Sequence, residues 1–89
     1  RDLAEIGKTP DGGVSRVAFS VEDKLGRDWF EKKARECGLE YSLDGAGNQS
    51  ATLFSNPPSA KRVLFGSHLD SVPNGGRFDG AIGTLAALE

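Results

Sequence analysis

Residues 62–66 carry Val63, Leu64 and Phe65 in succession, without polar alternation, and this short run constrains the fold more than any other stretch. An apolar run of this length with no period of two reads as a strand covered on both faces. A strand of that kind belongs inside a layered sheet. It leads into a loop containing Gly75 and Gly76, then into Gly80-Ala-Ile-Gly-Thr-Leu-Ala-Ala-Leu88, a small-residue helix able to pack closely on a sheet. The order helix, strands, covered strand, loop, helix predicts an α/β domain. It places the loop at the carboxyl end of a central strand, where open α/β sheets commonly bind ligands.

Residues 2–6 read as the end of a helix, with Gly7 as its terminator and Pro10, Asp11, Gly12 and Gly13 as a turn. A second helix is predicted over residues 21–37. Ser20 is its N-cap, Asp23 gives a weaker version of a capping box, and Glu22 and Asp23 suit the positive end of the helix dipole. Val21, Leu25, Trp29, Phe30, Ala34 and Cys37 recur at helical spacing, and Gly38 supplies a left-handed stop. Cys37 is expected to be a small buried hydrophobe on that face, and Trp29 and Phe30 to fill the core. Residues 39–43 and 50–54 read as strands joined by a turn containing Asp44, Gly45, Gly47 and Asn48. Pro57 and Pro58 then end regular pairing and begin a polar loop.

Composition removes several function classes. The 89 residues carry a formal charge of -2, with acidic and basic side chains interspersed, so no basic stripe for nucleic acid is present. No apolar run approaches the ~20 residues needed to span a bilayer, and no charged leader precedes an apolar stretch. A single cysteine allows no internal disulfide and fits a reducing compartment, which gives the expectation of a soluble, cytoplasmic protein. With one domain at most, a start at Arg1 and an end at Glu89 inside a helix, the chain reads as a fragment of something larger.

The chemistry concentrates in the loop after residues 62–66, which holds the only histidine, His68, with Asp70 two residues on and Asp79 beyond the glycines. Imidazole nitrogen and carboxylate oxygen are ligands for a divalent cation, and a further carboxylate can fix the ring tautomer. In an extended stretch His68 and Asp70 point the same way, so Asp70 can hold one ring nitrogen while the other binds metal. Asp79 has two readings of equal standing: a metal ligand, or an N-cap of the helix that follows. Gly75 and Gly76 either bring backbone close to a ligand or to Asp79, or form a plain surface turn after Pro73-Asn74. A phosphate loop fits poorly. There is no Gly-Lys-Ser/Thr, and Asp70 and Asp79 would repel an anion. Arg77 reads as a solvated loop charge rather than a substrate contact.

The run Gly-Ser-His-Leu-Asp-Ser-Val-Pro-Asn-Gly-Gly-Arg-Phe-Asp-Gly over residues 66–80, continuing into Gly-Thr-Leu-Ala-Ala-Leu-Glu over residues 83–89, resembles the amidase (hydantoinase/carbamoylase) branch of the zinc aminoacylase and carboxypeptidase superfamily. That branch holds N-carbamoyl-L-amino-acid hydrolases, allantoate amidohydrolases and β-ureidopropionases. Gly12-Gly-Val-Ser-Arg16, the Glu22-Asp23 pair, Arg27 and Asp44-Gly-Ala-Gly-Asn48 are similar to it as well. After Asn48 the chain departs: Gln49-Ser-Ala-Thr-Leu-Phe stands where the family continues with an apolar residue and a Gly-Arg turn.

The resemblance implies that residues 1–89 are the N-terminal portion of a zinc-aminopeptidase-like, three-layer catalytic domain with a mixed sheet, lacking the remainder and a dimerisation domain. It implies a site in which His68 is a terminal ligand of one metal, Asp79 bridges two, and Asp70 acts in catalysis by orienting His68. Two divalent ions are implied as cofactors, zinc first, with manganese, cobalt or nickel as alternatives. The implied activity is hydrolysis of C–N bonds in a small ureido acid or amide by a full-length homodimer. The glutamate base and the remaining ligands would lie beyond Glu89, itself a helix-surface residue, so the isolated chain is expected to be inactive. The alternatives are a metallopeptidase or aminoacylase of the same superfamily, and a non-catalytic α/β binding module.

Overall fold

A computed structural model describes residues 1–54 and 59–89 of the chain. Its elements are α1 (Asp2–Glu5), α2 (Val21–Glu36), β1 (Glu40–Leu43), β2 (Gln49–Thr52) and α3 (Ala81–Leu88). The expectations for Pro57 and Pro58 lie outside the described residues.

α2 starts and stops as its sequence dictates. The Ser20 hydroxyl accepts from the Asp23 amide at 3.1 Å, and the Asp23 carboxylate accepts from the Phe19 amide at 3.0 Å, so two otherwise unpaired donors are satisfied. Beyond the C-cap, Gly38 takes φ +76, and the Gly38 and Leu39 amides donate to the Arg35 and Ala34 carbonyls at 3.0 Å each. The buried stripe differs from the expected one. It runs through Asp23, Gly26, Phe30 and Ala34, while Val21 and Leu25 are exposed and Trp29 is half-buried. Cys37 is exposed, not buried, because the chain leaves the helix there, past the last residue that faces the core.

β1 and β2 form one antiparallel hairpin with Leu43 opposite Gln49 and Glu40 opposite Thr52. β2 therefore begins at Gln49, one residue earlier than expected, and ends at Thr52. The departure at Gln49 has a structural use. Its Nε2 donates to the Arg27 carbonyl at 2.9 Å and to the Tyr41 hydroxyl at 2.8 Å, docking the hairpin on α2, and Arg27 Nη2 donates back to the Gly47 carbonyl. The turn is closed by Asp44, whose carboxylate accepts from the Ala46 and Asn48 amides and from Asn48 Nδ2 at 2.8–2.9 Å.

Residues 62–66 correct the strand expectation. They form no ladder with any described strand, and Val63, Leu64 and Phe65 are 84%, 95% and 68% exposed. The only sheet among the described residues is the two-stranded hairpin, so no described strand pairs with this run. The α/β character holds; the mixed sheet and the three layers are not formed by the described residues.

The segment after residue 66 is held by the N-terminal region instead. Val14 bridges both Lys8 and Gly75, and the Val14 and Gly75 amides exchange hydrogen bonds with each other's carbonyls at 2.9 and 2.8 Å. Gly75 thus brings backbone close to Val14. Leu3, Val14, Phe30, Ala34 and Ala81 are the buried hydrophobic residues of this small core.

Candidate metal centre

His68 and Asp70 come together as alternation requires. His68 Nδ1 lies 3.0 Å from the Asp70 carbonyl oxygen and 3.3 Å from Asp70 Oδ1, so both main chain and carboxylate of Asp70 present acceptors to the same nitrogen. An N–H at Nδ1 facing two acceptors leaves Nε2 with its lone pair, the form in which imidazole binds a cation. No described residue hydrogen-bonds to Nε2. The His68 and Asp70 side chains are about half exposed, leaving an open approach.

Gly80 supplies the other wall. Its φ and ψ are 68° and -49°, and the Ala81 amide donates to the Asp79 carbonyl at 2.7 Å, so the chain makes a γ-turn of the positive-φ kind just before α3. The imidazole rests on this turn. A Cβ built on Gly80 would sit 2.6 Å from both His68 Nδ1 and Nε2, so only glycine lets the ring lie there. The turn also decides the role of Asp79 in the helix: the N-cap is Gly80, with no side-chain cap bond, so the N-cap reading of Asp79 is corrected. Asp79 stands exposed beside the turn that carries the His68 ring.

The main chain of the site is pinned from three sides. Thr84 Oγ1 donates to the His68 carbonyl at 3.3 Å, and Gly83 lies so close to Ser67 that an added Cβ would be 2.8 Å from the serine Cβ. α3 therefore packs on residues 67 and 68 through its small residues. Arg16, only 2% exposed, holds the next peptide: Nε donates to the Leu69 carbonyl at 2.7 Å, while Nη1 donates to the Leu3 and Ile6 carbonyls at 3.0 and 2.8 Å. Arg16 and Ser71 then clasp. The Arg16 amide donates to Ser71 Oγ at 2.9 Å, the Ser71 amide to the Arg16 carbonyl at 2.8 Å, and Ser71 Oγ to the Val14 carbonyl at 3.0 Å. Burial lowers the Arg16 pKa, an effect opposed by the carboxylates of Asp23 and Asp70.

Arg16 and Ser71 escape a reading based on residue types, since neither is a ligand and an arginine gives no sign of burial. One signal was available: Gly26, an unfavourable residue inside a strongly capped helix, where an added Cβ would fall 2.8 Å from Arg16 Cδ. Arg77 is exposed and stacks over the Phe78 ring at 4.7 Å, in keeping with a loop charge.

His68 and the exposed Asp79 carboxylate suit a divalent cation in chemistry, one offering a free lone pair and the other anionic oxygen. Among the described residues, no three His, Cys, Asp or Glu side chains gather into a metal-binding group.

No protein-family model matches the chain. An N-carbamoyl-L-amino acid amidohydrolase from Geobacillus stearothermophilus is 47% identical over 88 residues, 99% of this chain and 22% of that protein. An allantoate amidohydrolase from Escherichia coli is 39% identical over 85 residues, 96% of this chain and 21% of that protein. A crystal structure of a hydantoinase/carbamoylase family amidase from Burkholderia ambifaria superposes with a TM-score of 0.95 at 49% identity, over 99% of this chain and 22% of that one. The chain spans about a fifth of the length of these relatives. Sequence and fold match the hydantoinase/carbamoylase amidohydrolases at the level of the family, and relatives with different named substrates match along the same stretch.

Proposed function

We propose that residues 1–89 are the N-terminal portion of the catalytic domain of a metal-dependent hydrolase that cleaves C–N bonds in linear ureido acids or amides, an N-carbamoyl-L-amino acid or an allantoate-like compound. The observation that carries this reading is the engaged Nδ1 and free Nε2 of His68, seated on the glycine turn that follows Asp79. Kinship with amidohydrolases along nearly the whole chain supports it.

In this reading His68 Nε2 and the Asp79 carboxylate hold the metal, and Asp70 keeps the His68 ring in the tautomer and orientation that binding requires. Two divalent ions, zinc first and manganese, cobalt or nickel as alternatives, would supply Lewis-acid chemistry to such a site. The γ-turn at Gly80, which follows Asp79 in the chain, seats the His68 ring, and the His68 and Asp70 side chains are about half exposed. The base and the remaining ligands belong to the full-length protein, taken here as a cytoplasmic homodimer, and the isolated chain is inactive.

Metal analysis of the purified full-length protein tests this directly. His68→Ala and Asp79→Ala are expected to retain less than about a tenth of the parent's tightly bound divalent metal, in line with loss of one ligand from a small set. The parent is expected to release ammonia from an N-carbamoyl amino acid or from allantoate. Divalent metal content unchanged by either substitution would refute the site, and cleavage of dipeptides or N-acyl amino acids without ammonia release would favour the metallopeptidase or aminoacylase alternative.

A further inference from the structure

We infer that Arg16 is a positioning residue for the metal centre, acting through the Leu69 peptide to set the His68 ring; the metal part of this inference rests on the function proposed above. Three observations carry it. The guanidinium is buried, yet its hydrogen bonds are to main-chain carbonyls, two at the end of α1 and one on Leu69, the residue between His68 and Asp70. The main chain of Arg16 clasps Ser71 on the far side of Asp70, so both ends of the Leu69–Asp70 step are tied to one residue. Gly26 lies against the Arg16 side chain, where a methyl group would meet Cδ at 2.8 Å.

A planar fork with several fixed donors can bond three carbonyls from two directions at once, which a lysine ammonium on a flexible stem does less well. The charge it brings into the interior is answered by Asp23 and Asp70, the two carboxylates that act on it. The alternative is that Arg16 only holds α1 to the loop and has no influence on the ring.

The test uses the full-length protein and two substitutions that touch no ligand, Arg16→Lys and Gly26→Ala. The second adds helix propensity to α2 but also a methyl that must displace the buried Arg16 stem, so the melting temperature changes under either role; a purely structural role predicts unchanged metal binding and unmoved ring signals in the folded variant. Positioning through the Arg16 stem predicts zinc affinity about ten-fold weaker in both folded variants, measured by competition with a chromophoric chelator, the usual scale for losing an outer partner of a ligand. The His68 ring signals, assigned by subtraction of a His68→Gln spectrum, are expected to shift in metal-free protein in both variants. Zinc affinity within two-fold of the parent together with unmoved ring signals, in every variant that folds, would overturn the inference. A parent that binds no zinc would sink the proposed function instead, and the ring signals would still decide the role of Arg16. Should Arg16→Lys fail to fold, Gly26→Ala carries the test.

Discussion

Gly80 concentrates more of the site than either neighbouring carboxylate. It is the centre of a γ-turn at positive φ, it is the floor under the His68 ring, and it takes the N-cap position of α3 away from Asp79. Strained backbone of this kind costs a side-chain-bearing residue roughly 1–3 kcal/mol, and the Cβ would also displace the ring. Gly80→Ala in the full-length protein is therefore expected to lose about that much stability in urea unfolding and to weaken metal binding. Asp44 makes a second, independent case. Hydrogen bonds from Asn48 hold its carboxyl below the ordinary value of 3.8, so the folded chain binds that proton less readily than the unfolded one. Its contribution is present above pH 3.8 and is lost as pH falls through the lowered folded value. Exchange protection of the Asn48 amide is expected to fall over that acid range, and Asp44→Ala should abolish this dependence.

Which elements could be read in advance follows from how local their causes are. α2 was readable because Ser20, Asp23 and Gly38 act within a turn of themselves, and removal of the cap by Ser20→Ala should cost about 1 kcal/mol, measured by chemical denaturation. The pairing of His68 with Asp70 was readable from alternation alone. The buried face of α2 was readable only in its second half: Phe30 and Ala34 are buried as their spacing predicts, whereas in the first half Arg16, ahead of the helix, lies against Gly26 while Leu25 is exposed. Asp79 could not be decided by spacing either: an aspartate before a helix caps it unless the backbone turns first, and a glycine at position 80 permits the positive φ of that turn without requiring it. Residues 62–66 carry the pattern of a doubly covered strand, but a strand needs hydrogen-bonding neighbours, and in parallel sheets these lie distant in sequence. The pattern states what the run requires, and the described residues do not meet it.

That unmet requirement governs the chain as a whole. Its radius of gyration is 14.0 Å, against about 12 Å for a compact chain of this length, and its longest extent is 49 Å. Five hydrophobic residues are buried among the described ones, whereas Leu53, Phe54, Val63, Leu64, Phe65, Phe78 and Ile82 are each more than half exposed. Small domains bury the smallest fraction of their surface and have the least stability in reserve. This one also leaves its most apolar run in solvent and has no disulfide to restrain the unfolded chain. The parts with local support should persist when the rest loosens. The isolated 89-residue chain is thus expected to keep the α2 helical signal in far-ultraviolet circular dichroism, to bind a hydrophobic dye such as ANS, and to melt without a sharp transition. The full-length protein should bind far less dye and unfold cooperatively. A sharp, reversible melt of the isolated chain with no dye binding would mean that residues 62–66 find cover within it, and the need for further strands would fall with that result.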